Sequence, residues 1–131
     1  VLLHDAVRPL VTPKLISDNI AAVKEHGSAV TVVPFTETGI ISDDGVNTSK
    51  SIIRNTMYIA KAPQSFYFKD VWDAHLAGEE MSYTITIDTC SLMTELGKKL
   101  HMVPCETTNI KITTPSDLEI AKVFLKGKSY V

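Results

Sequence analysis

The chain has 131 residues, enough for one domain with a single core and too few for two independent ones. With 44% hydrophobic and 21% charged residues and a formal net charge of -2, it is composed like an ordinary soluble protein. It has no basic excess with which to neutralise a nucleic-acid backbone. Two cysteines, Cys90 and Cys105, are too few for a disulfide scaffold and lack zinc-ligand spacing, which fits a reducing, cytoplasmic setting. No apolar run approaches the roughly 20 residues that span a bilayer, so no membrane partner is expected.

Val1-Leu2-Leu3 is an apolar run ending in His4 and Asp5, the pattern of a buried parallel strand whose carboxyl end presents polar groups. It opens without a polar lead-in, and the expectation is a fragment whose first strand continued from an upstream segment. Thr12 and Pro13 read as an N-cap and first helical position. Leu15, Ile16, Asn19, Ile20 and Val23 then recur with helical spacing up to Gly27. Ala29 to Phe35, rich in valine, reads as a second buried strand, so that strand, helix and strand form a crossover unit.

From 36 to 55 the texture becomes polar. Asp44-Gly45 lies between Ile40-Ile41 and Ile52-Ile53, a hairpin signal too polar on both faces for a core. It reads as a projecting β-arm, of the sort that finds a partner subunit. Helical spacing predicts helices over Phe66 to Leu76 and over Asp88 to Leu96, the second with Asp88 as N-cap after Tyr83 to Ile87 and Gly97 as C-cap. Leu100 to Val103 and Asn109 to Thr113 read as short strands. Thr114-Pro115-Ser116-Asp117 opens a last helix whose lysines, from Lys122 to Lys128, suit its carboxyl end.

Several side chains could carry chemistry. Asp5 just past a strand, beside Arg8, suits a magnesium and phosphate site; it equally suits a loop cap or a simple ion pair. Lys111, alternating with Ile110 and Ile112, is either a solvated edge lysine or a point charge for a phosphate. Arg54, at the end of the arm, is either a surface arginine or a fork that reaches a phosphate in a neighbouring subunit. Asp88 is explained by N-capping alone. His4, His26, His75 and His101 have no ligand spacing. The six glycines, at 27, 39, 45, 78, 97 and 127, are too widely spaced for a phosphate-cradling loop.

Read together, His4-Asp5-Ala6-Val7-Arg8-Pro9, Arg54-Asn55, Pro63-Gln64-Ser65-Phe66 and Asn109 to Leu118 resemble, in that order, the methylerythritol-phosphate and ribitol-phosphate cytidylyltransferases. The resemblance runs from Val1 to about Leu125. It implies an α/β fold with a Rossmann-like, mostly parallel sheet of the nucleotide-diphospho-sugar transferase type, incomplete here, with a β-arm that embraces a second subunit in a homodimer. It also implies the substrates, CTP and a small polyol phosphate, and Mg2+ as cofactor.

In that family Asp5 would contact magnesium and the phosphates and Arg8 would support its turn. Lys111 would hold the acceptor phosphate, Arg54 would enter the partner's site, and Asp88 would lie near the polyol hydroxyls. Ala62 and Gln64 belong to the Pro-Gln motif on the substrate side. Ala62 replaces the family's usual threonine and Ile87 alters a Thr-Asp pattern, which bears on acceptor identity. The Arg54 to Tyr58 run and Val7 are closer to the ribitol-phosphate branch. The family's glycine-rich CTP loop has no counterpart in these residues, so the fragment alone is expected to be inactive. A noncatalytic dimerisation module and, more distantly, a metal-dependent glycosyltransferase are the competing readings; the latter usually carries Asp-x-Asp where only Asp5 stands.

Overall fold

The computed structural model describes residues 1–80 and 88–127. Strand β1 (Leu2–Leu3) leads to helix α1 (Pro13–His26) and strand β2 (Ser28–Pro34). A small hairpin follows, β3 (Ile40–Ile41) and β4 (Lys50–Ser51), then a 3-10 turn over Arg54–Thr56 and the long strand β5 (Tyr58–Phe66). Helices α2 (Phe68–Glu80) and α3 (Thr89–Glu95), strand β6 (Met102–Pro104) and helix α4 (Pro115–Lys126) complete the described residues.

The four-stranded sheet has the order β1-β5-β2-β6. β5 is antiparallel to both β1 and β2, and β6 is parallel to β2. Three strands therefore share one direction, and β5 runs against them through the middle. β2 is buried along Ser28 to Val33 because both faces of the sheet are covered, which is why it reads as a continuous apolar run rather than an alternating one. On one face Val30, Val32 and Phe66 pack with Ala74 of α2 and Leu92 and Met93 of α3. On the other, Ala29 and Val103 pack with Leu15, Ala22 and Val23 of α1.

α1 begins as its sequence dictates: the Thr12 hydroxyl accepts from the Leu15 N–H at 3.2 Å, and Pro13 fills a position that needs no donor. It ends at Gly27, whose φ of 82° is the left-handed conformation that glycine adopts without a Cβ penalty. Asn19, fully buried on this helix, ties it to the sheet. Its amide donates to the Leu15 carbonyl and the Thr31 hydroxyl, both at 3.1 Å, and its Oδ1 accepts from Ser65 at 3.2 Å. Asn19→Ala strands buried polar partners on two strands, and chemical denaturation should record a loss of about 1–3 kcal/mol. An unchanged unfolding midpoint would show that the network contributes nothing.

Some expectations are corrected. The segment 109–113 is not a strand: Ile110 and Ile112 satisfy the alternation, but among the described residues no neighbouring strand pairs with them. The segment is held instead by Ile112 N–H donating to the Val7 carbonyl at 2.9 Å. The helix expected from Phe66 begins at Phe68, because Phe66 ends β5 and is wholly buried in the sheet. The strand expected over Leu100 to Val103 is displaced to Met102–Pro104. β5 is a strand that the sequence does not announce, since Pro63 argues against a central strand. The arm hairpin is present, but Ile40 pairs with Ser51 and Ile41 with Lys50, not with Ile52-Ile53. The run from Tyr83 to Ile87 and Lys128 lie outside the described residues.

Candidate active site

A cleft of about 430 Å³ opens where the parallel strands end. Such crevices beyond the carboxyl ends of strands are where open α/β sheets bind ligands. Leu3, His4, Asp5 and Arg8 line it from β1 and its turn, Ala60, Lys61, Ala62 and Gln64 from β5, Asp88 and Thr89 from the start of α3, and Lys111 from the segment after β6.

Asp5 is the centre of this arrangement. Its Oδ2 accepts from Arg8 Nε at 3.0 Å and lies 3.5 Å from Lys111 Nζ, although Lys111 is remote in the chain. The turn that delivers Asp5 is closed by Arg8 N–H donating to the Asp5 carbonyl at 3.0 Å, and His4 Nε2 lies 3.0 Å from the Arg8 carbonyl. Arg8 is almost fully buried, and its Nη1 donates to the Asn109 carbonyl at 2.9 Å. Asn109, also buried, donates its side-chain amide to the Ala62 carbonyl at 2.8 Å, so one residue couples the Lys111 segment to both β5 and the Asp5 turn. Among the described residues its Oδ1 is buried without a partner.

Across the cleft Asp88 caps α3, accepting from the Ser91 N–H at 2.8 Å through one oxygen and from the Gln64 amide at 2.8 Å through the other. The Gln64 carbonyl oxygen in turn accepts from Cys90 N–H at 3.0 Å. Burial pushes the Asp88 carboxyl up, but the Ser91 N–H, the Gln64 amide and the charge of Lys111 outweigh it and hold the group below the usual carboxylate range. Asp88 is thus both the cap the sequence requires and an ionised wall of the cleft.

Of the seven candidate residues, Asp5, Arg8, Ala62, Gln64, Asp88 and Lys111 converge here. Arg54 does not join them within one chain. It lines a separate depression with Thr36, Asn55 and Tyr58, and its Nη1 donates to the Thr36 carbonyl at 3.3 Å. Sequence reasoning passed over Lys61, which lies between two alanines in the run Ile59 to Pro63. A lysine within an otherwise apolar run was the available signal.

No group of three or more metal-ligating His, Cys, Asp or Glu side chains occurs among the described residues. The donor set does fit magnesium held mainly by substrate phosphates, an ion that needs only one or two carboxylates from the protein. Arg8 and Lys111 both approach Oδ2 of Asp5, which leaves Oδ1 taken by neither.

A charged cleft at the carboxyl edge of a sheet flanked by helices defines an α/β protein with a ligand-binding crevice. The family model for IspD, 2-C-methyl-D-erythritol 4-phosphate cytidylyltransferase, matches residues 1–127. The chain belongs to that family.

The chain is 44% identical over 125 residues to the ribitol-5-phosphate cytidylyltransferase of Vibrio parahaemolyticus serotype O3:K6, covering 95% of this chain and 52% of that protein. It is 42% identical over 128 residues to the enzyme of the same name from Streptococcus agalactiae serotype III, covering 98% and 54%. Among solved structures, the 2-C-methyl-D-erythritol 4-phosphate cytidylyltransferase of Thermus thermophilus superposes with a TM-score of 0.84 at 28% identity, over 96% of this chain and 61% of that one. The 4-diphosphocytidyl-2C-methyl-D-erythritol synthase of Anaerococcus prevotii gives 0.85 at 28% identity, over 96% and 58%. The chain spans about half the length of the curated relatives it matches.

Proposed function

We propose that the whole protein carrying this chain is a CTP-dependent cytidylyltransferase that moves CMP onto the phosphate of a polyol phosphate, with ribitol 5-phosphate as the acceptor. The observation that carries the reading is the approach of Lys111 to Asp5 across the cleft, with Arg8 behind them. The acceptor assignment is supported by the ribitol-5-phosphate names of relatives more than 40% identical.

An oxygen of the acceptor phosphate attacks the α-phosphorus of CTP. The new P–O bond forms as the bond to the β-phosphate oxygen breaks, and pyrophosphate leaves with its electron pair. Two anions must be brought together in line, and positive charge must spread the charge that grows on the α-phosphate. Lys111 and Arg8 supply fixed positive charge beside the reacting groups. Asp5 orients both, and its carboxylate, with the substrate phosphates, would hold magnesium. The ion would supply positive charge that neutralises the phosphates and the departing pyrophosphate. Asp88, ionised and oriented by Gln64, accepts hydrogen bonds from polyol hydroxyls.

The hairpin supports a homodimer in which Arg54 completes a neighbour's site. Ile40, Val46 and Ile53 are exposed on or beside it, and Arg54 stands outside its own chain's cleft. A noncatalytic scaffold is the weaker reading, because it gives no reason for so many charged side chains to converge on one cleft.

Pyrophosphate release by the whole protein, measured with CTP, magnesium and each acceptor in turn, tests the proposal. Turnover should be fastest with ribitol 5-phosphate and should stop on chelation. Faster turnover with methylerythritol 4-phosphate would refute the acceptor assignment, and turnover with neither would refute the transferase reading.

A further inference from the structure

Lys61 stands where regular strand geometry would not put it. Side chains alternate across a strand, so Ala60, Ala62 and Gln64 should share one face and Lys61 should point to the other. Yet all four line the cleft. The register explains this: between the pairs Val30–Gln64 and Val32–Ala60, β2 advances by two residues and β5 by four. The extra residues make a bulge opposite Thr31, and bulges beside binding sites re-aim side chains in this way. The bulge is anchored on the far face by Thr31 donating its hydroxyl to the Pro63 carbonyl at 2.5 Å.

What the bulge delivers is a cation with little to neutralise it. Lys61 Nζ donates to the Asn109 carbonyl at 3.1 Å, the same oxygen that receives Arg8. Among the described residues no carboxylate forms an ion pair with it. An ammonium has three donors, and one of them is spent on Asn109. Burial, and then the positive charge of Arg8, pull its pKa below the usual lysine range. A half-buried ammonium held beside a second cation, and opening on a cleft, is a site for a doubly charged anion.

We propose that Lys61 is a second phosphate-binding residue, holding the phosphate of the polyol phosphate acceptor together with Lys111. The proposal rests on the transferase reading above. It assigns the acceptor rather than CTP because Lys61 belongs to the β5 wall, between Ala60 and Ala62, and its ammonium is held on the Asn109 carbonyl, two residues before Lys111.

Steady-state kinetics of the whole protein test it with Lys61→Gln, Lys61→Met and Lys61→Arg. Losing one charged contact to a phosphate should raise KM for ribitol 5-phosphate by about tenfold to a hundredfold and leave KM for CTP nearly unchanged. Lys61→Arg should recover most of the loss, since the charge is restored. Inorganic phosphate, competing with the acceptor, should lose potency against Lys61→Gln in parallel. Equal rises in both KM values, or an unchanged acceptor KM in an active enzyme, would overturn the assignment. A wild-type protein that turns over neither acceptor would remove the transferase reading beneath it, and the kinetics separate that failure from the first.

Discussion

Replacing Lys111 by alanine in the whole protein should lower kcat/KM for cytidylyl transfer by about 10²–10³, the usual effect of deleting one preorganised group that stabilises transition-state charge. The fold should tolerate it. The Lys111 side chain is about half exposed, and Asp5 keeps its closer partner, Arg8, at 3.0 Å. An exposed pair of this kind contributes little to stability. The melting temperature should therefore stay near that of the wild type while activity collapses. Lys111→Arg should restore only part of the rate, because a planar fork does not reproduce a compact ammonium. An unchanged kcat/KM for Lys111→Ala would remove the residue from the mechanism.

The same variant tests whether the arm works across subunits. Lys111→Ala and Arg54→Ala each disable a site, but if Arg54 serves its neighbour the two lesions fall in the same composite site of a mixed dimer and leave the other composite site intact. Mixing and reassembling the two inactive proteins should then recover a fraction of the wild-type rate. Absence of any recovery in verified mixed dimers would place Arg54 outside the neighbour's site.

Phe66→Ala should cost about 3–5 kcal/mol in urea unfolding, the range for emptying a large aromatic site in a core that relaxes only in part. Phe66 has no exposed surface and packs with Val30, Val32, Ala74, Leu92 and Met93. It thus joins the sheet to both α2 and α3. Its N–H also donates to the Val1 carbonyl at 3.0 Å, and the Val1 nitrogen donates to the Phe66 carbonyl at 2.7 Å, so the residue fastens β5 to the segment that delivers Asp5. Loosening it should disturb the site as well as the core. Phe66→Leu, which keeps most of the volume, should cost less than about 1.5 kcal/mol. A loss for Phe66→Ala as small as that would mean the site collapses without a cavity.

The helices were legible in the sequence because their signals are local. The cap at Thr12, Gly27 at positive φ, and Thr114 with Asp117 in a reciprocal capping box are each decided within a few residues. The valine-rich β2 and the hairpin around Asp44-Gly45 were legible for the same reason, whereas β1, expected as a buried parallel strand, lies at the edge of the described sheet, antiparallel to β5, with Leu3 exposed. The order of motifs carried the family resemblance.

What the sequence could not determine was anything that depends on a distant partner. β5 contains Pro63, which on propensity argues against a strand, and it is accommodated because it falls in the bulge between the paired residues Ala60 and Gln64. The segment 109–113 has the alternation of a strand but finds no strand to pair with among the described residues, and is held through Val7 and Ala62 instead. Only the fold brings Lys111 to within 3.5 Å of Asp5, and only a register shift turns Lys61 toward them. Propensity and capping are short-range and are written in neighbouring residues; charge convergence and register are set when remote segments pack, and so belong to the tertiary structure.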